Sequence, residues 1–180
     1  MAFSVPAASV SMTKVSAAET QKVYCGVGTK EVSKEDQKQM KKLSNALINS
    51  IGCELCYEMK KHDTREYDFS RTSVRRTIGS HVLFDDISDA DTTSKRVFGV
   101  KTKGLKIQPG DWGLAWPELR KIKVTSVGDG KYEICAKVKW VDDEAGKVTP
   151  LGTLTIQAEE KEGSYFGFVA KNMKITKVAE

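Results

Sequence analysis

Arginine and lysine supply the most concentrated chemistry in this chain. Arg71, Arg75 and Arg76 lie ahead of an acidic stretch, Lys95 and Arg96 follow it, and Lys101 and Lys103 alternate along an apolar run. Guanidinium and ammonium groups spaced this way neutralise phosphates and release condensed counterions. Trp112 and Trp116, close behind, offer indole faces on which bases can stack, and Tyr67 and Phe69 flank the set on its other side. The competing account is that lysines at alternate strand positions keep a sheet surface soluble and discourage edge pairing. Acids are interleaved through the region, which is how a solvated surface reads. Both accounts start from the same residues: Arg71, Arg75, Arg76, Lys95, Arg96, Lys101 and Lys103 for phosphate, with Trp112 and Trp116 for stacking.

Other constellations carry less. Cys53 and Cys56 form a C-x-x-C, with Cys25 before and His62 after. On a strand, residues three apart point to opposite faces, so these sulfurs would not converge on one ion. No second C-x-x-C or spaced histidine pair completes a zinc set, and the βαβ context of a redox C-x-x-C is absent. His62 and His81 are the only histidines, and neither stands near a nucleophile motif. Asp85, Asp86, Asp89 and Asp91 crowd one loop without the spacing of a calcium hand. Gly26 and Gly28 make a G-x-G that lacks the rest of a phosphate loop. The residues therefore point to no catalytic group, no metal and no cofactor, and no motif assigns an activity.

The elements that must position these side chains follow from periodicity. Ser33 and Asp36 form a helix start, Met40, Leu43, Leu47 and Ile51 recur at helical spacing, and Gly52 is a natural stop, which predicts an amphipathic helix over 34–51. Alternation of Cys53, Leu55, Tyr57 and Met59 with polar residues then predicts a half-buried strand. The segment 62–80 reads as loop or short helix, and 81–85 and 97–107 as strands around the acidic loop. Residues 121–127, 132–141, 151–158 and 164–178 are β-like runs separated by short glycine-containing turns, so neighbours should pair antiparallel. Tyr132, Ile134, Ala136, Val138 and Trp140 mark a core side, and Glu133, Cys135, Lys137 and Lys139 a wet, basic one.

With 180 residues, 39% hydrophobic and 29% charged, the chain fits one domain with a self-sufficient core, and its net charge of +5 makes polyanions plausible partners. No apolar run approaches the ~20 residues of a membrane-spanning helix. Residues 1–20 read as a flexible arm or short targeting segment ahead of a single β-rich domain over 21–180. The first eighteen residues carry no acid, as in an organelle transit peptide, but also no arginine. Four cysteines in a chain of this size read as reduced thiols, hence an intracellular, cytoplasmic protein, or a plastid or other organellar one if the leader is real.

The stretch VLFDDISDADTTSKR resembles the Leu-x-Asp segment of the 30K movement proteins of plant viruses. That family is related in fold to single jelly-roll coat proteins, and the resemblance implies binding of single-stranded nucleic acid, with a structural role for Asp85 or Asp86. The resulting expectation is a mainly β protein, an antiparallel β-sandwich of jelly-roll type or a barrel, with one amphipathic helix and a flexible N-terminal arm. Its expected role is non-enzymatic: a nucleic-acid-associated structural or transport protein, coat-like or movement-protein-like, with self-association or a protein partner in view. The alternative is an organellar β-barrel that binds a small apolar ligand or a protein partner.

Overall fold

The computed structural model describes residues 31–79, 94–95, 97–106 and 114–178, without the side chains of Cys53, Glu54, Cys56, Tyr57 and Lys60. The N-terminal arm, the acidic loop, the 81–85 strand and most of the Leu-x-Asp-like segment lie outside the described residues.

Helix α1 spans Lys34–Lys61 and starts as its sequence dictates. The Ser33 hydroxyl oxygen accepts from the Asp36 backbone N–H at 3.1 Å, satisfying one of the donors that a helix leaves open at its first turn. Met40, Leu43, Leu47 and Ile51 are all buried, joined by Ile48. Gly52 does interrupt the helix, at φ 50 and ψ −132, but the chain re-enters helical conformation beyond it. Residues 53–60 are therefore helix rather than strand. Ile51, Leu55 and Met59 recur every four residues and are all buried, so the apolar stripe runs on past the kink. Over eight residues, the same positions also satisfied a period of two.

After α1 come β1 (Thr64–Asp68), α2 (Thr72–Gly79), β2 (Ala115–Gly128), β3 (Lys131–Asp142), β4 (Lys147–Glu160) and β5 (Phe168–Lys177). The strands make one five-stranded sheet in the order β1-β5-β4-β3-β2, with every pairing antiparallel. The described residues are thus mainly β with the helices α1 and α2, and their strands form one sheet that is not closed into a barrel. Between β2 and β3, Gly128 pairs with Lys131 across Asp129 and Gly130, whose φ values of 52 and 67 are those of a type I′ turn. That turn matches the right-handed twist of the strands it joins.

One face of the sheet is the core. Val124, Ile134, Ile156, Met173 and Tyr67 form a row across all five strands, and Ala136, Leu154 and Ile175 form the next. The buried stripe of α1 belongs to the same apolar cluster, so a helix supplies the cover that the alternation of the strands requires. A sandwich satisfies the same alternation with a second sheet, and the sequence pattern does not distinguish the two.

Over its described residues, 97–106, the expected 97–107 strand does not form. Val97 and Phe98 are helical, Gly99 and Gly104 take positive φ, and the stretch from 99 to 106 is irregular. Phe98 stacks obliquely on Phe69, with ring centroids 5.0 Å apart, which fixes this segment against the turn between β1 and α2.

Candidate functional site

The predicted basic set is brought together in part, because α2, which begins directly after Arg71 and carries Arg75 and Arg76, lies against the segment that carries Lys95, Lys101 and Lys103. Arg75 is 8% exposed, and its guanidinium is committed to the protein itself. Nη1 donates to the carbonyls of Phe69 (2.5 Å) and Ser70 (2.6 Å), Nε to the Thr102 hydroxyl (3.0 Å) and Nη2 to the Thr72 hydroxyl (3.2 Å). The Ser94 hydroxyl in turn contacts Thr102 and donates to the Val100 carbonyl. Arg75 therefore fastens α2 to two irregular segments and is not presented to a ligand. The helical reading of 72–79 explains why: positions 75 and 78 fall on the buried side.

Arg71 and Arg76 are exposed, and Arg76 Nε donates to the Lys103 carbonyl at 2.7 Å. Lys95 is exposed on a short helical turn, and Lys101 and Lys103 on irregular chain, so the three do not line a strand. Arg96 and Trp112 lie outside the described residues, and Trp116 is half-buried on β2. Beside Arg71, the Asp68 carboxyl accepts hydrogen bonds from Ser70, whose backbone N–H donates at 2.8 Å. These bonds, with the nearby charges of Arg71 and Arg75, hold Asp68 below the usual carboxylate range.

The sheet face turned away from α1 has a more ordered arrangement. Strand register sets its side chains in rows: Trp116, Val141 and Val148; then Glu118, Lys139 and Pro150; then Arg120, Lys137 and Thr153; then Lys123, Cys135 and Thr155. Between Arg120 and Lys123 the register shifts by a bulge, where Lys121 takes φ 54 and is exposed as the extra residue. Five cations, Arg120, Lys121, Lys123, Lys137 and Lys139, thus share two neighbouring strands. Glu118 is paired with Arg120 at 2.7 Å, and Lys137 donates to the Thr153 hydroxyl at 3.0 Å.

Farther along the same face, Lys174 and Glu66 continue one row. Asn172 donates to Glu66 at 2.8 Å, and Lys171 pairs with Glu159 at 3.1 Å. A shallow depression of about 290 Å³ opens between Tyr132, Glu133 and Gln157 near this end. It is lined by both charge signs and holds no convergent set of reactive groups.

Sequence reading had marked Lys137 and Lys139 as the wet side of their strand, but it missed Arg120, Lys121 and Lys123 as their companions. The missing signal was register: only the Asp-Gly turn, counted back through the bulge, sets Arg120 opposite Lys137 and Lys123 opposite Cys135, on the same face as the lysines of β3.

Cys135, also on this face, is disulfide-bonded, with its partner outside the described side chains. The reading of four reduced thiols does not hold there. The C-x-x-C pair lies on the second half of α1, so the strand argument about its geometry falls away. Among the described residues, no three His, Cys, Asp or Glu side chains gather as a metal set, and no helix is long and apolar enough to cross a membrane.

Comparison with known proteins finds no family model, no characterised relative and no solved structure that matches this chain.

Proposed function

We propose that this protein is a non-enzymatic binding module for nucleic acid, held on the outer face of β2 and β3. The observation that carries the reading is the placement of Arg120, Lys123, Lys137 and Lys139 on one face of two adjacent strands, with Lys121 exposed at the bulge between them. Their summed field attracts a polyanion, and each phosphate contact gains free energy by counterion release. The sheet face is preferred here to the 71–103 region because Arg75, at the centre of that region, is buried and bonded to the protein itself.

A structural or transport role, coat-like or movement-protein-like, belongs to the same proposal, as does a jelly-roll completion of the fold. Its signature is cooperative binding, since a chain that coats a strand must self-associate along it. The Cys135 disulfide favours a compartment that lacks the reducing couples of the cytosol.

The test is a salt titration of a labelled oligothymidylate against the protein and its Lys123→Ala, Lys137→Ala, Lys139→Ala triple variant. Affinity should fall with salt, and the triple variant should flatten the slope by about 0.7 for each contact removed. Neutralising Lys41 and Lys42, exposed on α1, should change the slope much less. Equal losses from both sets, or no binding at low salt, overturn the proposal. Binding of an apolar ligand or protein partner, the second reading, draws on exposed Leu114 and Val148 and should respond little to salt.

A further inference from the structure

We infer that the row Trp116, Val141 and Val148 is a base-stacking platform, and that it makes this face selective for a short, single-stranded stretch of nucleic acid. The inference rests on the outer-face reading above and adds to it the class of nucleic acid bound and its footprint.

The three side chains are directly cross-paired on β2, β3 and β4. Trp116 is half-buried and Val148 is 53% exposed, so this is apolar surface on the side of the sheet whose next rows carry Glu118, Lys139, Arg120, Lys137 and Thr153. Such a row has no part in the core, whose residues project from the opposite face. On β3 it is followed at every second residue by Lys139, Lys137 and Cys135, the last lying opposite Lys123.

From Val141 to Cys135 the strand advances about 20 Å at roughly 3.4 Å per residue. One indole therefore stands at the end of a short track of cations. A strand laid along that track places a base on Trp116 and its phosphates over Lys139, Lys137 and Lys123. The expected footprint is at the low end of the about 4 to 16 nucleotides that a small sheet domain covers.

Stacking needs a base out of its duplex, because paired bases present only their edges in the grooves. A polyanion without bases gains the cation track and nothing from the row. A lipid surface is the less favoured partner: one row of three side chains is small for insertion, and Glu118 stands between it and the cations of Arg120 and Lys137.

The experiment compares four probes: a short oligothymidylate, the same oligonucleotide annealed to oligoadenylate, inorganic polyphosphate, and phosphatidylserine vesicles. The unaltered protein should prefer the single strand to its duplex. Trp116→Ala should weaken the single strand by about 10-fold or more, leaving polyphosphate unchanged, and Trp116→Phe should restore most of the loss.

Because truncating a strand residue can disturb the fold, a second measurement stands beside it. In a Trp112→Phe, Trp140→Phe protein, the remaining indole fluorescence should be quenched by the oligonucleotide and not by polyphosphate. Equal loss on both probes, no loss on the oligonucleotide, duplex bound as tightly as single strand, or an indole blue shift on the vesicles would each overturn the inference. A protein that binds polyphosphate well but shows no preference for bases loses only the stacking row. One that binds neither loses the outer-face reading as well.

Discussion

Arg75 and Arg76 are neighbours in sequence with opposite duties, and substitution should separate them. Arg75→Ala strips partners from two backbone carbonyls and two hydroxyls in a buried site, so it should lower the unfolding free energy by about 2 to 4 kcal/mol in urea titration. Arg76→Ala, at an exposed position, should cost under about 1 kcal/mol. Arg75→Lys should recover little, because an ammonium cannot reproduce the planar fork.

Tyr132 offers a test by pH. Its hydroxyl donates to Glu160, and that bond, with burial and the carboxylate's charge, pushes the phenol up to about 12. A folded-state value above the unfolded value of 10.0 means that the contribution to stability is whole below pH 10 and is lost as pH rises toward 12. Tyr132→Phe should remove that alkaline step from the stability profile, and ultraviolet titration should show one tyrosine ionising late. Asp68 behaves in the reverse sense: its depressed carboxyl stabilises the β1–α2 turn above the ordinary carboxylate range and loses that effect as acid protonates it.

At the scale of elements, two glycines bear most directly on shape. Gly52 sits at φ 50 and ψ −132, a conformation closed to side-chain-bearing residues, so Gly52→Ala should cost about 1 to 3 kcal/mol of stability, read by thermal unfolding. Gly152 has ordinary backbone angles, but a Cβ there would collide with the Thr176 carbonyl oxygen of β5. Gly152→Ala should therefore push β4 and β5 apart and destabilise by about 1 to 3 kcal/mol.

How far each element was legible follows from what determined it. The hairpins β2–β3–β4 announced themselves, because alternation and turn residues are local signals. The helix start at Ser33 was equally plain, since one side chain and one N–H settle it. The second half of α1 was misread because eight residues satisfied two periods at once. Strand β1 was missed because TREYD has little alternation of its own and exists through its pairing with β5. The site was half visible: lysines on the outer side of β3 could be read, but their partners on β2 required a bulge that no residue type marks, since lysine is a poor choice for positive φ.

Across the whole molecule, stability should be graded by position in the sheet. Strands β3 and β4 are flanked on both sides by long partners, whereas β1 is five residues long and pairs on one described side only. Amide hydrogen exchange should find β3 and β4 slowest and β1 fastest among the strands. A β1 as slow as β4 would contradict this grading.

The strand order has one more implication, which concerns how the chain is made. Thr64 of β1 pairs with Thr176 of β5, so the first strand finds its neighbour only in the last. The meander β2–β3–β4 can assemble as it leaves the ribosome, by contacts close in sequence. Throughout that time β1 has no strand to pair with, and α1 waits for the full face it is to cover. The fold closes only when the end of β5 is released, so a nascent chain stalled short of Phe168 keeps both an unpaired strand and an uncovered apolar helix within reach of chaperones and of other chains.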